Sequence, residues 1–130
     1  MLMTALLLPA TLLILLLVCH YVADFCLTLP MMIRAKADGR RAWPILLHAT
    51  VHAILMGASL AVCGVGWGLI LQLMVLELVT HFAIDTMKGR LTNRFTLLAD
   101  QRRRPYWMLY GLDQLLHQLV VVAIWYISLS

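Results

Sequence analysis

The chain has 130 residues, 63% of them hydrophobic and only 12% charged, with a formal net charge of +4. Soluble domains carry about 25% charged residues, so this composition excludes an ordinary soluble core. A basic folded face of the kind that binds nucleic acid is also excluded, because every Lys and Arg lies between long apolar runs.

A bilayer core is about 30 Å thick and takes about 20 helical residues to cross. Four segments meet that length, roughly residues 4–28, 44–63, 67–87 and 106–128. They use nearly the whole chain. The expectation is an all-α polytopic membrane protein: a single transmembrane domain over residues 1–130, in contact with the lipid bilayer. The first segment opens "MLMTALLLPATLL", without Lys or Arg, so it reads as a retained span rather than a signal peptide. Pro9 lies in its first turns, where proline is tolerated.

Arg34, Lys36, Arg40 and Arg41 lie between the first two spans. Lys88, Arg90, Arg94, Arg102, Arg103 and Arg104 lie between the last two. The short turn at 63–67 has none. The excess of basic residues in cytoplasmic loops then puts both basic loops in the cytoplasm of a bacterial inner membrane and both termini outside. Trp43, Tyr106, Trp107 and Tyr110 fall where interface anchors are expected. Gly57, Gly64, Gly66 and Gly68 serve either a close helix contact or the tight turn. Cys19, Cys26 and Cys63 are odd in number and sit in apolar spans, which argues against a disulfide framework and for small buried hydrophobes.

The chain also repeats itself. Val18, His20, Tyr21 and Asp24 align with Val79, His81, Phe82 and Asp85 at an offset of 61, and His48/His52 answer Asp113/His117 at an offset of 65. The expected architecture is two pseudo-repeated helical hairpins, residues 1–64 and 66–130, about an axis along the membrane normal. Each span carries one polar pair at i, i+4, which places both side chains on one helix face. The pairs are His20/Asp24, His48/His52, His81/Asp85 and Asp113/His117, and they include all five histidines. With neighbouring spans antiparallel, Asp24, His48, Asp85 and Asp113 fall in a shallow layer on the cytoplasmic side. His20, His52, His81 and His117 fall one turn deeper.

An aspartate at the centre of a membrane helix costs about 2.5–3.5 kcal/mol on insertion scales. Imidazole and carboxylate together are ligands for zinc, manganese or iron, and structural zinc contributes roughly 10–16 kcal/mol in peptides. The eight residues are therefore candidate ligands for one or two divalent ions, zinc first, with two ions bridged by an aspartate and a water. Glu77 extends the third stripe one turn deeper, as support for a ligating histidine or as a general base. Lys88 ends the same face, and Arg102, Arg103 and Arg104 are candidate contacts for a phosphate or lipid headgroup. The bland alternatives are interhelical hydrogen bonds, at about 0.6 kcal/mol each, and a proton relay.

The ordered motifs His20–Asp24-Phe25, His48–His52, His81–Asp85–Lys88 and Asp113-Gln114–His117 resemble those of small bacterial and phage membrane proteins catalogued as a domain of unknown function. That resemblance implies no established activity. A looser similarity, to membrane-bound metal-dependent hydrolases of bacterial inner membranes, implies hydrolysis. The leading expectation is a di-metal hydrolase acting on a lipid or membrane-proximal phosphoester at the cytoplasmic leaflet, with Glu77 and Asp113 in catalytic roles. The competing one is a divalent-metal or proton transporter, for which four spans would require a homo-oligomer. A di-iron oxidase of lipid chains ranks last.

Overall fold

A computed structural model describes residues 2–129, with side chains from residue 8 onward. Within these residues the protein is all-helical. Helix α1 (Leu2–Tyr21) continues into a π-helical turn, Val22–Cys26; α2 (Pro30–Asp38) is short; α3 (Ala42–Val62), α4 (Trp67–Arg94) and α5 (Arg104–Ser128) are long. A 3-10 turn, Thr96–Leu98, links the last two. Leu8–Cys26, α3, α4 and α5 are each long and apolar enough to cross a membrane.

Two features depart from the sequence reading. The first connection contains α2, and α4 runs to Arg94, past the expected span end at 87. Helix α2 has a proline at its first position and Gly39 after its last, and Gly39 takes the left-handed φ of 62° that closes a helix cheaply only with glycine. The extension of α4 gives α2 a surface to dock on. A Cβ at Gly89 would lie 2.5 Å from Gly39 N and 2.6 Å from Lys36 O. The two glycines therefore let the backbones of α2 and α4 touch.

Leu12, Leu16, Met56, Leu60, Ile70, Leu73, Val121 and Ile124 form one apolar layer. They come from the middle of α1, the first half of α4 and the second halves of α3 and α5. The Trp125 indole Nε1 donates to Pro9 O (2.7 Å) and ties α5 to α1 at this end. Gly57 gives α3 and α4 close contact, since a Cβ there would come within 2.5 Å of Met74 Sδ. Gly64, at φ 80°, makes the tight turn. The polar side chains follow this layer along the same helices, toward the side of the connections 27–41 and 95–103.

Candidate metal centre

The i, i+4 pairs point inward from four helices and converge. His20, His48, His52, Glu77, His81, Asp85, Asp113 and His117 are buried, none more than 8% exposed, and the Asp24 side chain is 4% exposed. His81 is the hub. Its ring centroid lies 3.8 Å from that of His52, 4.2 Å from His117, 5.2 Å from His48 and 5.7 Å from His20.

Two of the histidines have a fixed tautomer. His81 Nδ1 donates to Glu77 Oε1 (3.2 Å), and His117 Nδ1 donates to the Asp113 backbone carbonyl (2.8 Å). A proton held on Nδ1 leaves Nε2 of a neutral ring with a bare lone pair. Both Nε2 atoms face Asp85, at 3.5 Å from Oδ2 for His81 and 3.9 Å from Oδ1 for His117. Two lone pairs and a carboxylate turned on one another are mutually repulsive unless a cation joins them. Glu77 thus stands behind a candidate ligand, as the sequence spacing suggested.

The π-helical turn places Asp24. It is a local i→i+5 widening, with Leu27 N donating to Val22 O (3.0 Å). The Thr28 hydroxyl donates to the Asp24 carbonyl (2.6 Å) and the Ala23 carbonyl (2.9 Å) and satisfies oxygens that the widened turn frees. Such turns recur at functional sites because they re-aim a side chain without breaking the helix. Asp24 Oδ1 lies 3.0 Å from His48 Nε2 and 3.6 Å from His52 Nε2.

Sequence context places Lys36 among the basic residues of the first connection, and the structure folds it into the cluster. Its Nζ lies 2.9 Å from Asp24 Oδ1, 3.3 Å from Asp85 Oδ2 and 3.0 Å from His48 Nε2. Burial works against its charge, but the Asp85 and Asp24 carboxylates outweigh burial and raise its pKa above the ordinary lysine value. No periodicity singled it out, because the contact is made by the docking of α2 on α4.

Asp113 lies at the edge of the cluster. Its Oδ2 accepts from Lys88 Nζ (2.8 Å), and Lys88 also lies 5.0 Å from the Tyr110 ring centroid. Gln114 Nε2 bridges Asp24 Oδ2 (3.3 Å) and Asp113 Oδ2 (3.4 Å). Arg102, Arg103 and Arg104 are exposed, and Arg103 Nε pairs with Asp100 Oδ2 (3.1 Å). Cys19, Cys26 and Cys63 are free thiols, with Cys19 Sγ 3.2 Å from Ser59 Oγ.

Three sets of side chains bring ligand atoms within 4.8 Å of one another: His20, His52, Glu77 and His81; Asp24, His48, His52 and His81; and His81, Asp85 and His117. His81 belongs to all three. Among the described residues ten buried side-chain N and O atoms make no hydrogen bond, and all but Thr86 Oγ1 belong to this cluster. Folded proteins leave few such atoms, each costing about 1–3 kcal/mol. The donor set, its geometry and its unpaired atoms fit a divalent ion.

A cavity of about 590 Å³ leads to the cluster from the side of the connections 27–41 and 95–103. Asp24, Lys36, Lys88 and Gln114 line it, together with apolar and aromatic groups including Phe25, Ile33, Tyr106 and Tyr110. Tyr106 and Tyr110, expected as interface anchors, face this cavity.

The fold and site define a class: an all-helical protein with four helices able to cross a membrane and a buried His/Asp/Glu cluster able to hold a metal ion. The family model described as "Protein of unknown function (DUF3307)" matches residues 12–130, and the chain belongs to that family. No curated protein and no solved structure matches it.

Proposed function

We propose that this is a metal-dependent hydrolase of the bacterial inner membrane that acts on an anionic lipid or membrane-proximal phosphoester. Both basic connections face the cytoplasm and both termini face outward. The four spans are two hairpins of a duplicated unit. The observation that carries the metal is the pair of Nε2 atoms without a hydrogen bond, on His81 and His117, turned toward the Asp85 carboxylate. Zinc is the first candidate, with manganese and iron next. Ligands His81, Asp85 and His117 leave a fourth position open, as catalytic metal sites require. A metal there would polarise a phosphoryl oxygen and acidify its bound water, and Glu77 holds His81 in the ligating tautomer.

Hydrolysis is favoured over transport by the one-sided approach. The cavity reaches the cluster from the basic side, while the apolar layer from Leu12 to Ile124 lies beyond it. Lys36 and Lys88 in the cavity wall favour an anionic visitor over a free cation, and the apolar lining suits an acyl chain. The same lone pairs would also be satisfied by a shared proton, which is the second reading. Elemental mass spectrometry of detergent-purified protein beside Asp85→Ala/His117→Ala separates the two. One equivalent of metal, lost in the double variant, supports the proposal; protein that stays metal-free after add-back refutes it in favour of the proton.

A further inference from the structure

Three ligand-type atoms converge on the Lys36 ammonium: Asp24 Oδ1 at 2.9 Å, His48 Nε2 at 3.0 Å and Asp85 Oδ2 at 3.3 Å. An ammonium surrounded in this way fills the place of a metal ion. We infer that Asp24, His48 and His52 form a second divalent-metal seat, and that Lys36 is its built-in competitor. The inference rests on the proposed metal at His81, Asp85 and His117, but it concerns different ligands.

The geometry of the seat is that of a metal site. Ligands about 2.0–2.1 Å from a tetrahedral ion lie about 3.3–3.4 Å from one another. His48 Nε2 and His52 Nε2 stand 3.0 and 3.6 Å from Asp24 Oδ1, on either side of that value. His52 Nε2 and His48 Nδ1 make no hydrogen bond, and His48 Nε2 is held at Asp24 Oδ1 and Lys36 Nζ. Three protein ligands again leave an open position, and Asp24 and Lys36 line the cavity that leads to the seat.

Ammonium and metal exclude one another. Both need the same Asp24 oxygen and the same His48 lone pair, and two cations so close would repel strongly. Arrival of the ion expels Lys36 toward the cavity, which its flexible four-carbon stem permits. The freed ammonium then becomes a contact for an anionic substrate head. The second ion and the substrate contact would thus arise in one event, and Asp85, relieved of Lys36, would be left wholly to the first ion.

The test titrates zinc, and then manganese, into purified full-length protein and into Lys36→Met, which keeps side-chain length and removes charge. Wild type is expected to bind about one equivalent tightly and a second weakly. In Lys36→Met the second equivalent should tighten roughly tenfold or more, and in Lys36→Met/Asp24→Asn it should be lost. An unchanged or absent second equivalent in Lys36→Met overturns the inference. Loss of the first equivalent in wild type would instead refute the primary metal site. A readout on wild type alone guards against a variant that fails to fold. Lys36 and Lys88 are the chain's only lysines, so acylation followed by peptide mass spectrometry reads Lys36 against an internal reference. Metal loading should raise Lys36 labelling severalfold relative to Lys88. A constant ratio overturns the inference.

Discussion

At one end of the four long helices, Leu12, Leu16, Met56, Leu60, Ile70, Leu73, Val121 and Ile124 meet as an apolar layer. At the other, five histidines and four carboxylates occupy the same inward-facing positions. In a lipid surround the apolar end gains little from burial as such, because lipid tails are as apolar as leucine; shape and close approach hold it together. The polar end has the opposite character. Its side chains are costly to bury singly and are compatible only when cations hold them together. One end therefore sets where the helices stand, and the other gathers the side chains that could hold a metal ion.

The comparison can be broken most severely at its hub. His81→Ala removes a ligand from every group the structure assembles, and metal affinity should fall by more than about 100-fold, beyond the 10–100-fold typical of outer partners. Elemental analysis after dialysis against a chelator reads this; retained stoichiometric metal would contradict it. Glu77→Gln keeps the ring but replaces the carboxylate acceptor at His81 Nδ1, and about 10–100-fold is expected. Acid acts on the same end only. Imidazole ligands must be neutral, so protons compete with metal and metal content should fall as pH is lowered. A pH-independent metal content would exclude histidine ligation.

At the apolar end the expectation reverses. Leu60→Ala should cost about 2–5 kcal/mol in detergent unfolding while leaving metal content unchanged; a loss of metal at constant stability would mean that the two ends are not separable. Gly89→Ala sharpens the contrast further. The added methyl group overpacks the α2–α4 contact, at about 1–3 kcal/mol, and should lift Lys36 off Asp24 and so ease loading of the second ion. The smallest effect belongs to the arginine run. Arg103→Ala removes an exposed pair with Asp100, worth at most about 1 kcal/mol, and metal content should not change.

Much of this was legible in the chain. The four long helices follow from apolar length, and the i, i+4 pairs declare an inward face because a carboxylate or imidazole has nowhere else to go in lipid. Glu77 was legible for the same reason, one turn along its own stripe. Helix α2 was not, although Pro30 and Gly39 mark its ends, because nine residues with mixed polarity carry no clear period. Lys36 was hidden by its neighbours: beside Arg34, Arg40 and Arg41 it looks like loop charge, and only the Gly39–Gly89 contact turns it inward. The edge position of Asp113 was hidden too, since spacing along α5 cannot foresee that Lys88 on α4 will claim it.

The widened turn at Val22–Cys26 has a consequence for the tolerance of α1 to length changes. A π turn is one residue more than the α-helix needs, so deleting a residue within it would restore an unbroken helix at little local cost. Because the widened turn already lags the α-helix by about one residue's 100° of rotation, the deletion would leave the residues on either side close to their present faces. Leu12, Leu16 and His20 would keep their faces and the span its apolar length, while Asp24, inside the turn, would lose the aim that the widening gives it. Insertion into the membrane and assembly of the site would then part company: a chain that threads the bilayer correctly and cannot complete the proposed metal site.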